Sequence, residues 1–536
     1  MLLMRPKLKM RLARLFWEAY LCLIGVIVIP VVLIMVVLIF TPTLIWRPIA
    51  KILRPIFRPD LAGMLSCMSS VFAQVDNEVC PVKAMNVLEI TVKGHLDLDE
   101  FIKHIHKTWI SCRDDHTQNF RYPELQQYPV NWAGYKFWKW EENFSLQNHI
   151  RLATCGGDLT QMGLDLLCGS FPEGTSPWDL TIVPGPILQG EEAVTTIFMR
   201  MHHLLGDGFM VHFLLQRMWG DENPMPLFCP AVKGEKSFWN NAKASIVFPF
   251  KAALLFGELA HSAAKQWRWK VLERQKGLTW SLARGQSIST RTIFRIKKHF
   301  QVSFSAVLYS LVAGGLRRFM DSELKKGMKI PDVIQTVTPV LPGGKHPDRM
   351  GNQLESSSNP GVESDSNSCR ALVVVVITVL VMLDSFGLTS YPTEISDPVE
   401  RLYEMHNNFE TLRHSAASVI GHYGFALLGS HVNWVAPLIT WYPFGSLTTS
   451  YFPFGFSPEW NILGRTVSNA TFYMKLQQGQ QGGMMSISSF GDHVNINPLF
   501  NSNLLSSEEA DKLTRCIVEE VGILEALNPD LRVISC

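Results

Sequence analysis

Two histidines, an aspartate and a glycine fall within one short stretch, His202-His203-Leu204-Leu205-Gly206-Asp207-Gly208. A neutral imidazole, with an ordinary pKa of about 6.5, accepts a proton at neutral pH, so a histidine held in a cleft can take the proton of an attacking hydroxyl. That chemistry needs a fixed imidazole and a loop that holds it. The flanking residues offer both: Val194 to Met201 is apolar and β-branched enough for a strand, Leu204 to Gly206 reads as a tight connection, and Gly208 to Trp219 carries apolar residues at helical spacing. Side chains alternate along a strand, so His203 shares a face with Ile197, Met199 and Met201, and His202 shares the other with Phe198 and Arg200. One of the pair alone therefore enters a given cleft. A structural reading of the same residues stays open, with His203 a hydrogen-bonded core histidine and Asp207 the N-cap of the following helix.

The spacing His-His-x-x-x-Asp-Gly resembles the active-site motif of acyltransferases of the chloramphenicol acetyltransferase and condensation-domain superfamily. By position, the resemblance implies that His203 is the general base beside His202, and that Asp207, ahead of Gly208, holds the loop in shape without taking a proton. Shorter matches resemble a narrower group, the wax ester synthase/diacylglycerol acyltransferase family. These are Phe144, Leu146, His149 and Arg151, then Pro177, Trp178 and Asp179, and in the second half Gly314 to Arg317, Pro339 and Val340, Gly351 and Asn352, and Asp397 to Leu402. Ser305-Ala306-Val307-Leu308 stand where the family has Asn-Asp-Val-Leu. Ser468 and Asn469 match a Ser-Asn that precedes a Val-Pro-Gly turn and imply a contribution to the acyl tunnel, although this chain continues Ala470-Thr471-Phe472. Ser489, Phe490 and Gly491 resemble the family's last strand.

The resemblance implies an α/β fold of two chloramphenicol-acetyltransferase-like lobes meeting at a central cleft or tunnel. It further implies that acyl-CoA enters from one face and a long-chain alcohol or diacylglycerol from the other, without a covalent acyl-enzyme. The chain has no Gly-x-Ser-x-Gly elbow, which agrees with direct transfer. Two rivals follow from the departures: a catalytically degenerate lipid-binding or scaffold protein of the same fold, and an acyltransferase with a different acceptor, such as an amine.

The remaining features bound these readings. A chain of 536 residues exceeds what one core usually holds. A net charge of +2 without a basic stripe argues against a nucleic-acid partner. The ten cysteines are scattered singly and read as reduced thiols or core residues. His104, His106, Cys112 and His116 match no zinc spacing, so no metal and no cofactor beyond the acyl-CoA substrate is expected.

Leu21 to Phe40 is a continuous apolar run, long enough to cross a bilayer as a helix, although Pro30 also allows a kinked hairpin. Basic residues flank both ends, so charge barely orients it. The expected order is a basic tail at 1–20, a transmembrane anchor at 21–45, a first lobe at 60–225, a linker at 226–290 and a second lobe at 291–536. An atypical insertion occupies 353–390, with Glu355 to Asn367 a disordered loop and Ala371 to Leu383 a buried strand. Acyl-CoA supply favours the endoplasmic reticulum with cytosolic lobes over the plasma membrane, with membrane lipids as further partners. Within the lobes, Val87 to Val92 and Arg291 to Ile296 read as strands, Asp97 or Asp99 as a helix cap, the aromatic stretch Tyr128 to Phe144 as a strand pair or an apolar mouth, and Ser303 to Met320 as a helix. An apolar segment at Ala244 to Ala264 reads as a surface helix, and Ser506 to Glu509 as a capping box opening a last helix through Val521.

Overall fold

The computed structural model describes residues 41–75, 84–114, 117–153, 158–185, 193–220, 279–323, 330–339, 386–414, 428–434, 446–455, 460–475 and 482–527, with a few isolated positions between 15 and 26. Helix α1 spans residues 41–57. It is followed by β1 (Leu61–Met64), α2 (Cys67–Val75), β2 (Met85–Lys93) and α3 (Leu98–Ile105), which continues as a π-helical turn over His106–Ile110. Next come β3 (Gln127–Trp132), β4 (Tyr135–Trp140), α4 (Leu146–His149), β5 (Ile150–Leu152), α5 (Leu159–Cys168), β6 (Trp178–Pro184), β7 (Val194–His202) and α6 (Gly208–Trp219). The second half begins with β8 (Trp280–Leu282), β9 (Ile288–Ser289), α7 (Thr290–Phe300), α8 (Phe304–Glu323), β10 (Ile334–Pro339), β11 (Phe386–Tyr391) and α9 (Pro398–His414). It ends with β12 (Leu447–Gly455), β13 (Asn461–Ile462), β14 (Arg465–Lys475), β15 (Gly483–Phe490), β16 (His493–Asn501) and α10 (Ser507–Ala526).

Each lobe is built on one large sheet. The first has the order β13-β14-β2-β7-β6-β5, antiparallel except between β5 and β6. Register puts Leu88, Met199 and Leu180 in one row and Ile90, Ile197 and Ile182 in the next, so the middle of one face is apolar; it shares a core with Phe101, Ile105 and Trp109 of α3 and its continuation. The Trp109 Nε1–H donates to the Leu214 carbonyl at 2.9 Å and ties that segment to α6. The other face carries Glu89, Asp179, Arg200 and Tyr473, polar groups that need partners once buried. The second sheet runs β11-β10-β12-β15-β16-β8, with β9 also on β16. Helix α8 is buried along most of its length, from Ala306 to Leu316, between that sheet and α9 and α10. A third sheet joins β1, β4 and β3, so the aromatic stretch is a strand pair with Tyr135, Phe137 and Trp138 buried and Trp140 left exposed.

The lobes exchange chain. Strand β14 leaves the second half and lies between β13 and β2, with Asn469 opposite Thr91 and Thr471 opposite Glu89. Residues 461–475 of the expected second lobe therefore complete the first sheet, while β8 and β9, inside the expected linker, are strands of the second. Ala470, Phe472 and Met474 of β14 belong to the first core, which explains why this strand is drawn across.

Several expectations need correction. Arg291 to Ile296 is not a strand but most of helix α7: Ile293, Ile296 and Phe300 are buried at helical spacing, and Lys297, Lys298 and His299 fall in the last turn, where cations complement the helix dipole. Ser468 and Asn469 are not at a turn but inside β14, because Thr471, Phe472 and Tyr473 continue a strand where Pro and Gly would have ended it. The strand ending at Ser489 and Phe490 is not the last, since β16 pairs with it as a hairpin. The final helix runs past Val521 to Ala526 behind its Ser506–Glu509 capping box, and Asp97 and Asp397 cap their helices through the Glu100 and Glu400 N–H groups.

Most of Leu21 to Phe40, the segment Ala244 to Ala264, and the insertion through residue 385, including both halves of its expected loop and strand, lie outside the described residues. Among the described residues no single helix is long and apolar enough to cross a membrane. Residues 41–45, expected to end the anchor, are helical and belong to α1.

Candidate active site

The two histidines are held from both sides by neighbouring backbone. The His202 N–H donates to the Pro177 carbonyl at 2.9 Å, and the His203 N–H donates to the Ala84 carbonyl, just ahead of β2, at 2.8 Å. Strand β7 ends at His202, and His203 opens a one-turn 3-10 helix over His203–Leu205. The His203 N–H bond to Ala84 extends the β2–β7 ladder by one residue, and the chain turns only after it, where the Gly206 N–H donates to the His203 carbonyl at 3.2 Å. The side chain of His202 serves that turn, since its Nδ1 accepts the Leu204 N–H at 3.0 Å and caps it. The ring of His203 stacks on Phe72 of α2 with centroids 3.9 Å apart and planes 14° from parallel. Its Nδ1 is buried without a hydrogen-bond partner among the described residues. Burial pushes its pKa down to about 4, against an opposing contribution from hydrogen bonding to the His203 and Gly206 backbone, so the imidazole is neutral at physiological pH. A neutral imidazole can accept a proton.

Asp207 sits where the turn becomes α6. Its carbonyl accepts the Val211 N–H at 3.2 Å and its Oδ1 faces the Met210 N–H at 3.4 Å, the bonding of an N-cap. A Cβ at Gly206 would lie 2.3 Å from the Cβ of Met210, so only glycine lets the turn close on α6. A Cβ at Gly208 would lie 3.3 Å from the ring of Phe452, which brings the motif against β12 of the second sheet. Phe452 stands 4.8 Å from Phe454 and 5.9 Å from Phe472, an aromatic wall contributed by β12 and β14. Asp207→Ala should lower the unfolding free energy by about 0.5 to 2 kcal/mol. Limited proteolysis and melting read this; loss of activity with both unchanged would instead give the carboxylate a direct chemical role.

Ser468 and Asn469 are not brought to the histidines. Asn469 is opposite Thr91, whereas His202 is opposite Met85, six residues away along β2. At a rise of about 3.3 Å per residue this places them roughly 20 Å apart. The Ser468 hydroxyl bonds the Thr91 carbonyl at 3.2 Å, and the Asn469 Oδ1 is buried without a hydrogen-bond partner among the described residues.

Sequence reading missed the polar seam between the lobes. The Thr471 hydroxyl meets Ser488 at 2.9 Å and accepts from Asn497 Nδ2 at 2.8 Å, while the Met474 N–H donates to Ser486 at 3.2 Å. Nearby, Glu89 accepts the Tyr473 hydroxyl at 2.6 Å and pairs with Arg284, whose Nε–H donates to Tyr473 at 3.0 Å. The alternation Ser486, Ser488 on an otherwise apolar strand was the only signal. Under β7, the family-matched residues converge: His149 stacks on Trp178 at 4.7 Å, the two groups hydrogen-bond at 2.8 Å through the Trp178 carbonyl, and Asp179 binds both Arg200 and Arg151. They brace the strand that carries the motif.

Three histidines, His203, His212 and His431, are pushed to a pKa of about 4 chiefly by burial. Unfolded, each takes a proton near about 6.5. Between these values the unfolded chain binds more protons than the folded one, so stability is full above about pH 6.5 and is lost progressively towards pH 4. Denaturant midpoints across that range should fall with pH, and replacing His212 with Asn should flatten the slope.

No protein-family model matches the chain, and no curated protein matches it in sequence. Solved structures do. A wax ester synthase/diacylglycerol acyltransferase from Marinobacter aquaeolei VT8 superposes with a TM-score of 0.54 at 15% identity, covering 87% of this chain and 100% of that one. The chain has the two-lobed condensation and acyltransferase fold. A trichothecene 15-O-acetyltransferase from Fusarium sporotrichioides gives a TM-score of 0.54 at 12% identity over 86% of this chain and 94% of that one. The first condensation domain of the CDA synthetase gives 0.50 at 9% identity over 87% and 97%. At such identities the shared property is this fold, and it is the one that the His-His-x-x-x-Asp-Gly resemblance implied.

Proposed function

We propose that the chain is an acyl-CoA-dependent O-acyltransferase that esterifies a long-chain alcohol or diacylglycerol, giving wax ester or triacylglycerol, with His203 as general base. The observation that carries this reading is the neutral, buried His203 imidazole, fixed at a strand-to-helix turn against the facing lobe. The acceptor hydroxyl gives its proton to the imidazole as its oxygen attacks the thioester carbonyl. The tetrahedral intermediate then expels the CoA thiolate, which takes the proton back from the imidazolium, so the enzyme ends the cycle unchanged. Burial disfavours the imidazolium, which speeds that return. Asp207 and His202 act on position, through the α6 cap and the 3-10 cap. No cofactor is needed beyond the acyl-CoA substrate.

We place the enzyme on the endoplasmic reticulum with its lobes in the cytosol, anchored through the apolar run before α1. Its length and the supply of acyl-CoA support this. The test offers labelled acyl-CoA to membranes expressing the full chain, with a panel of alcohols, monoacylglycerols and diacylglycerols. Ester formation with a long-chain hydroxyl is expected. Tight retention of acyl-CoA without ester from any acceptor would replace this reading by the lipid-binding one.

A further inference from the structure

Helix α1 presents two unlike faces. Thr43, Arg47, Ala50 and Arg54 recur at helical spacing and face the folded body. The Thr43 hydroxyl meets His431 Nδ1 at 2.5 Å, and the Thr43 carbonyl accepts the Tyr135 hydroxyl. Arg47 donates to the Leu65 carbonyl at 3.0 Å and the Gly429 carbonyl at 3.3 Å, Ala50 is fully buried, and Arg54 donates to the Leu61 and Ala62 carbonyls. Shifted by two residues, or about 200° around a helix, stand Ile45, Ile49, Ile52 and Ile56. They are 60%, 39%, 68% and 70% exposed, with Phe57 beside them at 65%. The hydrogen bonds of the inner face prevent the helix from rolling to bury this stripe.

We infer that the outer face of α1 docks in the plane of the membrane, with the headgroup and upper acyl region of the bilayer as its occupant. This deepens the membrane-bound reading proposed for the chain. Three observations select lipid. The twenty-residue apolar run ends at Phe40, directly before the first described residue of α1, which delivers the helix to a bilayer surface. Two tryptophans mark the same edge: the Trp46 Nε1–H donates to the Ala133 carbonyl at 2.9 Å, and Trp434, 55% exposed, follows Asn433, whose N–H donates to Gly134 of the same hairpin turn at 2.8 Å. Indoles favour that depth of the membrane. Arg47 and Arg54 are turned inward, so the outward contact is apolar rather than ionic, and salt should not release it. Because α1 is fastened to the body at both ends, docking sets the orientation of both lobes on the lipid that supplies the acceptor.

The experiment uses the full chain in membranes loaded with a phosphatidylcholine that carries a photoactivated carbene precursor near its headgroup, and adducts are mapped on peptides. Adducts on Ile45 to Phe57 are expected, and a variant with Ile45, Ile49, Ile52 and Ile56 all changed to Ser should lose them while keeping those on 21–40. Adducts confined to 21–40 in the wild type would overturn the docking face and leave the anchor. A chemically crosslinked dimer abolished by the same variant, with no lipid adducts on α1, would assign the face to a second copy and overturn it too. Carbonate release with no adducts anywhere would overturn anchor and face together. Labelling needs no turnover, so failure of the transferase reading does not affect the outcome.

Discussion

Replacing His203 with alanine is expected to lower acyl transfer by about 100-fold to 10,000-fold, the usual effect of removing a general base. The loss should be chemical rather than structural. The backbone N–H of residue 203, which bonds the Ala84 carbonyl, survives the substitution. His202→Ala gives the contrast. It removes the acceptor for the Leu204 N–H and should lower stability by a cap's worth, about 0.5 to 2 kcal/mol, while measurable activity remains. Initial rates with labelled acyl-CoA at saturating acceptor, normalised to folded protein, separate the two. Equal rates for wild type and His203→Ala would end the general-base assignment.

A comparably large effect, on stability, is expected in the second lobe. Glu520 of α10 is fully buried, pairs with the buried Arg401 of α9, and accepts from Arg318 of α8 at 3.0 Å. Arg401 also donates to the Ile395 carbonyl at 2.6 Å, which satisfies one of its N–H groups without balancing its charge. Glu520→Ala leaves that cation in the core and should cost about 3 to 5 kcal/mol, whereas replacing Arg401 and Glu520 together by apolar residues of similar volume should cost far less. Gly314→Ala tests the same carboxylate from the other side, since a Cβ there would fall 2.2 Å from its carbon. Chemical denaturation followed by two probes is the measurement. A loss below about 1 kcal/mol for Glu520→Ala would mean that the group is far better hydrated than its burial implies.

What the sequence made legible was local. The strand of Val194, the helix from Gly208 and the caps at Asp97, Asp397 and Ser506 depend on neighbours within a few residues, and their patterns survive folding. The packing of His203 was not legible, because Phe72, which its ring stacks on, and Ala84, which its N–H bonds, are both remote in sequence. Helix α7 was misread because Thr290, Thr292, Ile293 and Ile296 favour strands individually, while their spacing puts the apolar ones on one helical face. The Glu89–Tyr473–Arg284 cluster draws on three distant segments, and nothing local marks any of its members. The two faces of α1 are readable as a 43, 47, 50, 54 set against a 45, 49, 52, 56 set, but the apolar run before them makes the outer face look like a continuation of that run.

The passage of β14 into the first sheet also sets an order of manufacture. Strand β2 leaves the ribosome early, yet the partner for its open edge arrives 377 residues later, as the Ser468–Thr91 contact records. At about 5 to 20 residues per second, that edge waits on the order of tens of seconds. An unpaired edge is a template for pairing with another chain. The first lobe is therefore not a unit of biosynthesis: it is closed by a strand made long after the rest of it, and a nascent chain stalled before Asn461 is a substrate for chaperones rather than a half-finished fold.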